Sequence, residues 1–164
     1  MDPMTLLLVA LLFVILIWAI STYNALVRER LHVKEGWSAV QVQLQRRASL
    51  IPNLVETVRG YAGHERQTFD SVIEARSRVQ SAVGPAEAAT ANNALTQTLR
   101  SLFALAEAYP DLKANQNFLD LQEQLADAED KISYARNHYN SRVLSYNGLV
   151  QMVPSNYVAK LGGF

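Results

Sequence analysis

The side chains that could do chemistry in this 164-residue sequence are scattered and form no known catalytic or metal-binding spacing. His32, His64 and His138 lie far apart. Glu65 follows His64, but the second histidine that would place two ligands on one helical face is missing. The sequence has no cysteine, so it contains neither disulfides nor thiolate ligands. We therefore expect no metal and no cofactor.

Acid–base and nucleophilic chemistry also lacks a recognisable pattern. The carboxylates at Glu56, Glu65, Glu74 and Glu107 are interspersed with Lys, Arg and Gln, which is typical of solvated helix faces. No G-x-S-x-G, P-loop or G-x-G-x-x-G motif occurs. We expect no enzyme. The formal net charge is +0, which argues against a nucleic-acid partner.

The most informative stretch is apolar and runs without interruption over residues 6–20. With its uncharged flanks it reaches roughly 19 residues, about the length that crosses a bilayer. The alternative is a cleaved signal peptide, which should begin with basic residues, whereas this segment follows Asp2 and lacks a good cleavage site. We expect a transmembrane anchor over residues 1–22. Its main lipid-facing side chains are predicted to be Leu6, Leu12, Phe13, Ile17 and Trp18.

The charges that follow the anchor predict its orientation. Arg28, Arg30 and Lys34 come soon after the apolar run. Lys and Arg near a membrane span favour the cytoplasmic side. The N-terminus is therefore expected outside and the remainder of the chain in the cytoplasm.

The elements that follow the anchor are all predicted to be helices. Apolar residues recur at steps of three, four or seven, and alternating strand-like runs are missing. Pro52 lies inside the first stripe, so we expect one bent helix, with a break at this proline as the alternative. Pro110 ends the third helix, and Asp111 and Asn115 are both suitable N-caps for the last one. The result is an all-α helical bundle over residues 23–153.

Helix lengths predict the topology. The first helix beyond the anchor and the last one each have nearly 40 residues, near 60 Å, and the two between them are near 30 Å. Short loops make neighbours antiparallel. The sequence thus predicts an N-terminal helix continuing into an antiparallel bundle with long outer helices and a shorter central hairpin. On this map Tyr23 and Asn24 lie level with Tyr146 and Asn147, in a two-helix stalk that is a candidate for self-association.

Arginines interrupt the apolar stripes at positions that the predicted topology places level with acidic residues of the last helix. Acidic residues of the last helix lie within 120–129, at levels that could face arginines of the first helix. Ion pairs that fix helix register are one interpretation. An anion site built from two arginines is the other. The predicted ion-pair residues are Arg46, Arg47, Arg76, Glu123 and Asp127.

A tyrosine followed by an asparagine occurs three times, and the second and third of these pairs are one heptad apart. The aromatic ring with a polar tip suits a membrane interface or a hydrogen bond between helices. A surface for a partner or for self-association is the alternative. The residues are Tyr23, Asn24, Tyr139, Asn140, Tyr146 and Asn147. After Pro154, the tail over 154–164 is predicted either to lie on the membrane surface or to be disordered.

Several motifs together resemble the LemA family. They include the first Tyr-Asn, then Trp-Ser, Arg-Arg and Leu-Ile-Pro-Asn-Leu-Val, and the segment from "EAYPDLKANQNF" onward is similar to the second half of that family. Gly36 departs from the usual alanine. The resemblance covers residues 23–164. It implies a single-span bacterial membrane protein with a mostly helical cytoplasmic domain and no established enzymatic activity.

These observations lead to two hypotheses. The first is a non-enzymatic scaffold of the bacterial inner membrane that is anchored in the bilayer, forms homo-oligomers and organises membrane or membrane proteins. The second is an adaptor that recruits or regulates another membrane protein, such as a protease or signalling component, without assembling itself.

Overall fold

A computed structural model describes residues 2–164, and within that range the chain forms six helices and no strand. The long outer helices and the shorter hairpin between them confirm the predicted all-α architecture. The helices are α1 Pro3–Arg59, α2 Arg66–Ser81, α3 Gly84–Ala106, α4 Pro110–Lys113, α5 Gln116–Gln151 and α6 Ser155–Gly162.

The chain divides into two compact units. The terminal unit comprises the residues up to Gly36 together with Asn137–Phe164, and the central unit comprises Trp37–Arg136. Helices α1 and α5 contribute residues to both units.

The central unit has a core built from one stripe on each of its long helices. Buried alanines, including Ala48 of α1 and Ala91 of α3, lie among the larger apolar side chains. The rings of Phe103 and Phe118 meet edge to face with 6.1 Å between their centroids. The core includes Leu44, Ile51, Leu54 and Val58 of α1, Phe69 and Val72 of α2, Leu95, Leu99 and Leu102 of α3, and Phe118, Leu125, Ala128 and Ile132 of α5.

Helix α1 continues through Pro52. A proline has no N–H, so the carbonyl of Ala48, four residues earlier, lacks its usual helical donor. In the structure Arg76 of α2 replaces that donor, and its Nε lies 2.9 Å from the Ala48 oxygen. The alternative of a break at Pro52 is therefore wrong, and a tertiary hydrogen bond satisfies the acceptor that the proline leaves free.

The connection between α3 and α5 contains the short helix α4, which begins at Pro110. Asn115 then caps α5, because its Oδ1 accepts a hydrogen bond from the Phe118 N–H at 3.1 Å. Its Nδ2 donates to the hydroxyl of Tyr61 at 3.0 Å. Of the two predicted caps, Asn115 has this role at α5, whereas Asp111 lies in the first turn of α4.

The terminal unit orders the C-terminal tail. Residues 155–162 form helix α6, which ends at Gly163 in the left-handed conformation with φ of 70°. The ring of Phe164 packs edge to face on Tyr23, with 5.3 Å between centroids. The predicted alternative of a disordered tail is therefore wrong, because most of the tail is helical.

Candidate functional site

The first candidate site is the apolar segment of α1. The side chains from Met4 to Trp18 are all exposed. Within residues 2–164, no residue of the most apolar 18-residue stretch of α1 is buried by the rest of the protein. This helix has the length and composition to cross a membrane. The exposed fractions at the predicted lipid-facing positions are 54% for Leu6, 66% for Leu12, 62% for Phe13, 51% for Ile17 and 39% for Trp18.

The second candidate is a buried polar cluster in the central unit, centred on Arg47, which is 4% exposed. Its Nη1 donates to Asn92 Oδ1 at 2.6 Å and to Thr96 Oγ1 at 3.0 Å. The same nitrogen lies 2.6 Å from Glu129 Oε2 without the alignment of a hydrogen bond, so this contact is an ion pair. Burial lowers the pKa of Arg47, and the Glu129 carboxylate partly offsets the effect.

A second, more exposed ion pair lies beside this cluster. Arg46 Nη2 is 3.1 Å from Asp127 Oδ2, and Lys131 Nζ is 2.9 Å from the same oxygen. The hydrogen bond from Lys131, followed by the attraction of Lys131 and Arg46, lowers the pKa of Asp127.

The other two residues grouped with the ion pairs have different surroundings. Arg76 donates to the Ala48 carbonyl instead of a carboxylate. Glu123 is exposed, and across residues 2–164 no basic group lies at ion-pair distance from it. Since Arg47 and Arg76 are both committed to internal acceptors, the geometry favours a structural role for them over an anion site.

Asn92 and Thr96 belong to this cluster but were absent from the sequence-based prediction. They are four residues apart on α3 and therefore lie on one face of it. Asn92 lies in the stripe of Ala88, Leu95 and Leu99, where a buried amide requires a partner. A polar residue inside an apolar helical stripe was the signal that could have identified it.

The third candidate is the set of tyrosine–asparagine pairs, all in the terminal unit. Asn24, Asn140 and Asn147 are exposed, Tyr23 is 45% exposed, and Tyr139 and Tyr146 are half-buried. A Cβ added to Gly36 would lie 3.3 Å from the Tyr139 Cα, so the two helix backbones are close together there.

That close approach gives the register of α1 against α5. Counting thirteen residues back from Gly36 and thirteen forward from Tyr139 places Tyr23 level with Met152. The predicted alignment of Tyr23 and Asn24 with Tyr146 and Asn147 is wrong by about six residues, near 9 Å. Helix lengths alone do not determine the register of two packed helices. Here the register of α1 against α5 is given by the close contact at Gly36.

Gly36 provides a test of this register. Gly36→Leu should lower the free energy of unfolding by about 1–3 kcal/mol, because its side chain meets the Tyr139 backbone and overpacks the helix pair. Gly148→Ala is the control, since the atom nearest its new methyl is the flexible end of Met152 at 3.8 Å. It should raise stability by about 0.5–1 kcal/mol through helix propensity. Urea unfolding in mild detergent, followed by circular dichroism, measures both, and equal effects would contradict the register.

Grooves in the central unit are lined by both polar and apolar side chains. One of them, with a volume of about 400 Å³, is lined by three amides, a threonine, two carboxylates and a leucine. In the described part of the chain no three His, Asp or Glu side chains gather as metal ligands. The lining residues are Asn53, Glu56, Thr57, Asn117, Asp120, Leu121 and Gln124.

The fold and the exposed segment define a class: an all-helical protein in which one helix is able to span a membrane. The LemA family profile matches residues 36–164, and the chain belongs to the LemA family. It is 25% identical over 141 residues to Protein LemA of Metamycoplasma hominis, covering 84% of this chain and 63% of that protein. It is also 25% identical over 168 residues to Magnetosome protein MamQ of Magnetospirillum gryphiswaldense and to Magnetosome protein MamQ 2 of Paramagnetospirillum magneticum, covering 87% of this chain and 62% of each relative.

The chain thus spans less than two thirds of the length of these curated relatives. Neither the family description nor the relatives' names denote an enzyme.

Proposed function

We propose that this protein is a membrane-anchored, non-enzymatic scaffold whose copies associate with one another. The apolar segment of α1 crosses the bacterial inner membrane once, with the N-terminus outside and the remaining helices in the cytoplasm. The observation that carries the proposal is the unbroken exposed run from Met4 to Trp18. An apolar surface of this length is unfavourable in water and favourable in hydrocarbon.

The orientation is supported by the charges at the end of this segment. Arg28 and Arg30 are exposed on α1, and Lys34 follows one turn later. Similarity to magnetosome proteins supports a membrane-associated role.

Self-association is supported by two exposed leucines on the terminal unit. Leu31 of α1 is 54% exposed and Leu144 of α5 is 75% exposed. In the register set by Gly36 and Tyr139 they lie at the same level, five residues from the close approach, and helix periodicity turns each of them about 140° away from that contact, onto separate outward faces of the two helices. Exposed Asn140 and Asn147 flank Leu144. Leu144 between these two asparagines gives an apolar centre with a polar rim, the composition of a protein interface, and the proposed occupant is an outward face of the same helix pair in a second copy.

Sedimentation of the full chain in mild detergent tests the proposal. The wild type should form a defined oligomer, and the variant with both Leu31→Glu and Leu144→Glu should sediment as a monomer. Val83→Glu is the control, because Val83 is 82% exposed on the central unit and its replacement should leave the oligomer intact. A wild type that is monomeric at all concentrations would refute self-association. If crosslinking then captured one different membrane protein stoichiometrically, the adaptor hypothesis would replace the scaffold.

A further inference from the structure

We propose that α6, together with Met152 and Val153, lies on the membrane surface beside the point where α1 leaves the bilayer. This inference rests on the proposed crossing of the membrane by the apolar segment of α1. The ligand is the lipid headgroup region, and the contact would hold α5 to the membrane at its C-terminal end.

The C-terminal end of α6 lies at the boundary of the apolar segment. Phe164 packs on the ring of Tyr23, and a Cβ added to Gly162 would lie 3.1 Å from Tyr23 Cε2. Tyr23 follows Ile20, where the apolar run ends, by three residues, or about 4.5 Å along the helix. The headgroup region on each side of a bilayer is about 5–8 Å thick. The end of α6 is therefore at headgroup level.

The other end of α6 lies at the same level. Ser155 Oγ is 2.6 Å from the Leu149 carbonyl oxygen and 2.9 Å from that of Met152. Met152 is level with Tyr23 in the register of α1 and α5. With both ends at one height along α1, this helix of about 12 Å lies across the axis of α1. A helix in that position beneath a membrane span runs along the bilayer surface.

The exposed face of α6 has the composition of an interfacial helix. Leu161 is 91% exposed and Tyr157, one turn earlier on the same face, is 62% exposed, while Ala159 is buried at 1%. Met152 and Val153, in the turn before α6, are also exposed, at 66% and 72%. Leucine and tyrosine beside an exposed Lys160 suit the boundary between headgroups and acyl chains.

Lipid is favoured over a second copy because of where the face lies. It continues from the exposed apolar segment of α1 at the height where that segment ends, so headgroups already surround it once α1 crosses the bilayer. No conformational change is needed for contact.

Because the sequence has no cysteine, a single Cys variant carries one spin label at a defined site. The full chain with Leu161→Cys is labelled with a nitroxide and reconstituted into vesicles of phosphatidylcholine and phosphatidylglycerol. Accessibility to oxygen and to a water-soluble nickel chelate then reports depth. The label at 161 should lie about 5–10 Å into the boundary between headgroups and acyl chains. A label at Lys160→Cys should be in water, and one at Leu12→Cys deep in hydrocarbon.

Three other results would overturn the inference in distinguishable ways. If the label at 161 is as accessible to nickel as that at 160 while the label at 12 is deep, α6 is off the membrane although the anchor stands. If the label at 12 is also in water, the proposed membrane crossing fails and the inference fails with it. If the label at 161 is shielded from both reagents, and its spin–spin broadening disappears on dilution with unlabelled protein, a second copy covers this face instead.

Discussion

Arg47→Ala should lower the free energy of unfolding by about 2–4 kcal/mol, whereas Arg46→Ala, one residue earlier, should change it by less than about 1 kcal/mol. The difference arises from burial. Arg47 is 4% exposed and serves three partners on two other helices, so its loss leaves the Asn92 amide buried without its donor. The expected loss is below that of a fully buried pair, because the Glu129 side chain is 42% exposed and regains water.

The two variants are matched in charge change and in position along α1. Arg46 and Asp127 are each 42% exposed at the side chain, and solvent screens such a pair. Urea unfolding of the full chain in mild detergent, followed by far-UV circular dichroism, measures both. A further variant with Arg47→Met and Asn92→Leu should recover most of the loss, because it removes both buried polar groups. Equal effects of Arg46→Ala and Arg47→Ala would show that the cluster has no special role in stability.

Arg76→Ala should lower the free energy of unfolding by about 1–3 kcal/mol, and by much less when Pro52 is also replaced by alanine. In the parent chain the change leaves the Ala48 carbonyl without a donor, since Pro52 cannot supply one. Pro52→Ala restores the backbone N–H four residues after Ala48 and makes the arginine dispensable. The double-mutant cycle should give a coupling energy of at least about 1 kcal/mol.

The control for this cycle is Arg78→Ala. Arg78 lies two residues further along α2, is 65% exposed and pairs with Glu74 on the same helix. Its loss should cost about 0.5 kcal/mol or less, in either background. Additive effects of Arg76→Ala and Pro52→Ala, measured by the same urea titration, would mean that the hydrogen bond does not compensate for the proline.

Periodicity was sufficient to predict α1 and α5, because a long series of apolar residues at steps of three and four fits a helix and no other regular secondary structure. It also predicted continuity through Pro52, since the apolar register is the same on both sides. It did not predict α4 or α6. Helices of four and eight residues are not stable by themselves, so their existence depends on contacts such as that of Phe164 with Tyr23, which are distant in sequence.

The candidate sites were predictable to different degrees. The apolar segment is continuous in sequence, so it can be identified without knowledge of the fold. The roles of Arg47 and Arg76 depend on which atoms face them across helices, and arginines inside apolar stripes indicate only that acceptors are needed. For Arg76 the acceptor is a backbone carbonyl, which side-chain charge patterns do not represent.

The hydrogen bond from Arg76 to Ala48 also constrains the order in which this sequence can diverge. A lineage that first exchanges Pro52 for another helix-forming residue can lose the arginine afterwards at little cost. The reverse order passes through an ancestor with an orphaned carbonyl in the core. Proline and arginine at these two positions are therefore expected to be inherited together, and descendants with arginine alone should outnumber those with proline alone.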